Sequence, residues 1–151
     1  MFTTFNPKYD ASKNGQLSFH VEGYDRVCIH VCARPYVPDN DSLWHAIATA
    51  AHPLGEDGKP LSQCDGASTT RDTVRKTNRI QCLGGTVSDV RTFSDLSGLC
   101  IVIVTEVDEY PYYNVIVPND TKFNILNTIF LFKMPARGVF IAYEPPEQLW
   151  K

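Results

Sequence analysis

The sequence predicts an α+β domain in which helices pack on a mostly antiparallel β-sheet, with an N-terminal β-hairpin added to it. Three observations carry that prediction. Apolar and polar residues alternate with period two from Gln16 to Cys32, the pattern of strands with one buried face. Two segments with helix-start chemistry follow, near Ser42 and near Thr86, each with apolar residues at helical spacing. The C-terminal half then holds the apolar, β-branched runs LCIVIVTEV, NVIVP, NTIFLFKM and VFIAY, which read as strands, the first of them buried on both faces. Hairpin, helices and then strands is the order of an α+β arrangement.

A chain of 151 residues, 43% of them hydrophobic and 21% charged, suffices for one core and not for two. Residues 1–15 read as a flexible arm and 16–151 as a single domain. A formal net charge of -3 gives no basic footprint, so neither nucleic acid nor an anionic membrane surface is expected as the main partner; a protein or a small ligand is. No stretch nears the roughly 20 apolar residues of a membrane span, and MFTTFNPKYD has no basic leader or apolar core. Five cysteines, Cys28, Cys32, Cys64, Cys82 and Cys100, cannot all pair, and reduced thiols in a cytoplasmic setting are the expectation.

In chain order, Leu17, Phe19 and Val21 alternate with polar neighbours, as do Val27, Ile29 and Val31 after Gly23, which predicts a hairpin. Cys28, His30 and Cys32 fall on the opposite face of its second strand. They can hold zinc only with a further ligand from Cys64 or Cys82; paired-Cys spacing is missing, so neither a metal nor another cofactor is expected. Pro35 and Pro38 break the strand. A helix is predicted from Ser42 to Ala51, with Asp39 or Asp41 accepting from its open amides and His52-Pro53 ending it.

PLGEDGKPLSQCDGAST, residues 53–69, reads as a long surface loop. TTRDTVRKTNRI reads as a short helix exposing Arg71, Arg75, Lys76 and Arg79. A capping box at Thr86 and Asp89 starts the next helix, with Val87, Val90 and Leu96 or Leu99 as its apolar stripe and Gly98 as its stop. DEYPYY reads as a turn region between the first two C-terminal strands, and Pro135–Gly138 as the turn before the last.

Three places in this order resemble the ovarian-tumour (OTU) family of papain-like deubiquitinases, over about two thirds of the chain from Tyr36 to Pro145. DNDSLWHAI is similar to the family's Asp-Gly-x-Cys-Leu-Phe-x-Ala turn, with Ser42 in the place of the nucleophilic Cys. LGGTVSDVRTFSDLSGLCIVIV is similar to its Gly-Gly segment, helix and strand. TIFLFKMPARGVFIAYEPP looks like the terminal strand pair that carries the family's catalytic His, where this chain has Gly138 and Val139. The resemblance implies an OTU-like papain-type fold.

In such a fold a helix N-terminus lowers the thiol pKa and the amides of the preceding turn face the oxyanion. The matching residues here are Asn40, Asp41 and Ser42. A serine hydroxyl depends on a base even more than a thiol does, yet no His follows His52. An engineered Cys-to-Ser change accounts for Ser42 alone and leaves the missing His unexplained.

The leading expectation is therefore a catalytically inactive OTU-like pseudoprotease that binds another protein, with ubiquitin or a ubiquitin-like protein as the candidate. Its surface would comprise Trp44, Arg71, Arg75 and Arg79, the loop 53–69 and the N-terminal hairpin. One alternative is a permuted protease in which His30, or His20, serves Ser42 as base and Asp39 orients it. His45, one turn inside the helix, is poorly placed for that task. A purely structural domain of a larger viral polyprotein or assembly is the third reading, with the old cleft filled by Trp44, Phe140 and their neighbours. Added N-terminal hairpins are similar to those of some viral OTU domains, which suggests a viral origin; the setting would then be the host cytoplasm.

Overall fold

The computed structural model describes residues 7–10, 16–19, 27–31, 41–78, 86–108, 110–134 and 139–143. Three layers stack in it. A three-stranded antiparallel sheet contains β1 (Lys8–Asp10), β2 (Gln16–Phe19) and β3 (Val27–Ile29) in that order. A four-stranded sheet lies behind it, and the helices α1 (Ser42–Ala51), α2 (Gln63–Asn78) and α3 (Val87–Ser97) cover the other face. The four-stranded sheet has the order β5-β4-β6-β7, from β4 (Cys100–Val107), β5 (Tyr110–Ile116), β6 (Thr128–Met134) and β7 (Val139–Ala142). Its pairs are antiparallel except β4 with β6, which run parallel.

The continuous apolar run of β4 follows from its place between two cores. Ile101 and Ile103 point at the helices, where they meet Leu43, Ile47, Ile129 and Leu131. Cys100, Val102 and Val104 point the other way, to Leu17, Phe19, Ile29 and Phe130. Successive side chains of a strand alternate faces, so a strand covered twice must be apolar throughout. The N-terminal sheet is thus part of the core, and Phe19 stacks on Phe130 with ring centroids 5.2 Å apart.

The expected hairpin is present, with Leu17 opposite Ile29 and Phe19 opposite Val27; its turn at Gly23 lies outside the described residues. The arm expected over 1–15 needs correction, because Lys8–Asp10 pairs with Gln16–Ser18 as a third strand. Three residues are too few to show a period, and backbone pairing rather than side-chain pattern builds this strand.

Helix α1 has the expected bounds. His52 closes it in the left-handed region at φ 48, its N–H donating to Ala48 O at 3.0 Å. Helix α3 starts on the expected capping box: Asp89 N–H donates to Thr86 Oγ1 at 3.3 Å, and Thr86 N–H donates to Asp89 Oδ2 at 3.0 Å. Its stripe differs, for Val90 is buried while Val87 and Leu96 are exposed. Ser94 replaces them inside, donating its hydroxyl to Leu99 O at 2.7 Å.

Helix α2 begins at Gln63, inside the expected loop. Its buried positions are Gly66, Ala67, Thr70 and Val74, spaced helically but too small to register as an apolar stripe. A β-carbon at Gly66 would lie 3.0 Å from Pro53 Cγ and 3.3 Å from Ala48 Cβ, so glycine there lets α2 close on α1. Strand β5 likewise starts earlier than expected, at Tyr110. Asp108 takes φ 51 in the tight turn from β4, and Pro111 is tolerated because β5 is an edge strand.

Candidate functional site

Ser42 is the first residue of α1, and this helix is buried on most of its circumference: Leu43, Trp44, Ala46, Ile47, Ala48 and Ala50 are all inside. It packs on α2, β6 and β7. That placement carries the hydroxyl of Ser42 onto the strand pair where the resemblance puts a histidine. Ser42 is only 3% exposed. The backbone N–H of Phe140 donates to its Oγ at 3.0 Å.

The two strand residues that meet Ser42 are apolar. Val139 is 0% exposed and Phe140 5%, and the ammonium of Lys133 stands 5.8 Å from the centroid of the Phe140 ring. Gly138 lies outside the described residues. A nucleophile needs a base within hydrogen-bond reach. Among the described residues, no imidazole hydrogen-bonds to Ser42.

The histidines fall elsewhere. His45 Nδ1 is buried, with no hydrogen-bond partner among the described residues. His52 is exposed at the far end of α1. His30 is exposed beyond β3, where Val31 bridges Tyr143 antiparallel. In an antiparallel register His30 then runs away from Phe140, by about 13 Å along the strands at roughly 3.3 Å per residue. His20, Asp39 and Asn40 lie outside the described residues.

Asp41 is the N-cap residue, but its side chain makes no capping bond. Its carboxylate instead faces Arg71 Nη1 of α2 at 3.8 Å, and Arg71 Nε also donates to Asp72 at 3.2 Å. Arg71 is therefore partly engaged within the protein, tying α2 to the Ser42 turn, and is not a free cation awaiting a partner. Arg75 is half-buried on the same helix, and Arg79 lies outside the described residues. Trp44, expected at a binding surface, is 1% exposed; in a helix covered nearly all round, a large apolar ring goes to the core.

Cys28 and His30 are both exposed, consistent with a shared outer face, while Cys32 and Cys82 lie outside the described residues. Among the described residues no group of three or more potential ligands assembles, and no helix is long and apolar enough to cross a membrane. The thiols of Cys28, Cys64 and Cys100 are free.

The sequence did not disclose the Ser42–Phe140 bond, because a backbone amide has no sequence signature. Nor did it disclose the apolar groove of about 220 Å3 between α2 and α3, lined by Pro53, Thr69, Thr73, Val74, Phe93 and Leu96 among others.

No protein-family model and no curated protein sequence matches the chain. Solved structures do match its fold. The viral OTU domain protease from Taggert virus is 18% identical with a TM-score of 0.54, over 93% of this chain and 94% of that one. The Hazara virus OTU, solved bound to ubiquitin, is 15% identical with a TM-score of 0.54, over 91% of this chain and 94% of that one. The OTU domain of OTUD1 is 13% identical with a TM-score of 0.51, over 78% of this chain and 86% of that one. The chain has an OTU-like α+β fold.

Proposed function

We propose that, on this OTU-like fold, the protein is a catalytically silent module that binds another protein, with ubiquitin or a ubiquitin-like protein as the first candidate. The observation that carries the silent half is the buried bond from Phe140 N–H to Ser42 Oγ at 3.0 Å. It engages an oxygen lone pair at the place where a protease needs an exposed nucleophile, and it does so from the strand that would supply the base. Val139, fully buried beside it, offers no proton acceptor. The permuted reading gains nothing from His30, which is exposed and directed away by the Val31–Tyr143 register.

The binding half is supported by the fold likeness to a domain solved with ubiquitin. The N-terminal sheet, the segment 53–62 and the exposed side of α2 would face the partner, in a cytoplasmic setting that suits free Cys28 and Cys64. Titration of isotope-labelled protein with ubiquitin, followed by amide NMR shifts, tests this half. Shifts confined to those elements support it. Absence of shifts at millimolar ubiquitin removes ubiquitin as the partner and favours a structural domain of a larger assembly.

A further inference from the structure

We draw no further inference here: the strongest candidate, the apolar groove between α2 and α3 lined by Pro53, Val74, Phe93 and Leu96 among others, is an unpartnered surface, and nothing in the structure shows what covers it.

Discussion

Ser42 and Phe140 are 98 residues apart in sequence, and one hydrogen bond, Phe140 N–H to Ser42 Oγ at 3.0 Å, pins the start of α1 to β7. Both residues are buried, so the bond is shielded from water. Removing the acceptor leaves a buried N–H without a partner, which costs about 1–3 kcal/mol. Ser42→Ala is expected to lower stability by that amount in urea unfolding, with an unchanged m-value. A neutral substitution would mean that Phe140 N–H finds another acceptor.

Gly66 gives a second prediction. Gly66→Ala gains about 1 kcal/mol of helix propensity, but its β-carbon would press on Pro53 Cγ at 3.0 Å and Ala48 Cβ at 3.3 Å. Neither neighbour is the end of a flexible side chain. Overpacking of this kind costs roughly 1–3 kcal/mol, so Ala is expected to be mildly destabilising and Gly66→Val severely so. Thermal unfolding of the two variants checks the order.

The capping box of α3 predicts a coupling. Thr86→Ala is expected to cost about 1 kcal/mol. Asp89→Ala, which removes a buried carboxylate accepting from Thr86 N–H, is expected to cost at least as much. A double-mutant cycle between them should be non-additive, since each residue accepts from the other's backbone; additive losses would contradict the reciprocal geometry.

Burial raises the pKa of the Tyr113 phenol above its usual value of 10.0. A group with a raised folded pKa stabilises the fold below its unfolded pKa, and that contribution is lost as pH rises through the folded value. Stability should therefore fall above about pH 10, and Tyr113→Phe should flatten that fall. Urea midpoints collected from pH 8 to pH 11 measure the difference.

Legibility of the fold in the sequence varied with the kind of force involved. β4 was plain because two cores demand unbroken apolar residues, and α3 because a capping box is a local motif. β1 was hidden, since a three-residue strand made by backbone pairing leaves no side-chain pattern. The first two turns of α2 were hidden because close helix packing there selects Gly66, Ala67 and Thr70, residues that equally suit a loop. At the site, the placement of Ser42 at a helix start was readable from Asp41 onward. What it bonds was not, because that partner is a main-chain amide fixed only by the tertiary fold. Trp44 was expected on the binding surface, and the burial of α1 on most of its circumference puts it in the core instead.

The central claim is that this OTU-like fold has no working nucleophile and base at Ser42. Ser42→Cys supplies the thiol and nothing else, and treating that variant with a ubiquitin-based electrophilic probe tests the claim most directly. No covalent adduct is expected, because Val139 and Phe140 provide no base and the position is buried. A Cys-dependent adduct forming at a rate above that of free thiols would contradict it, and would require an imidazole to reach Ser42 after all.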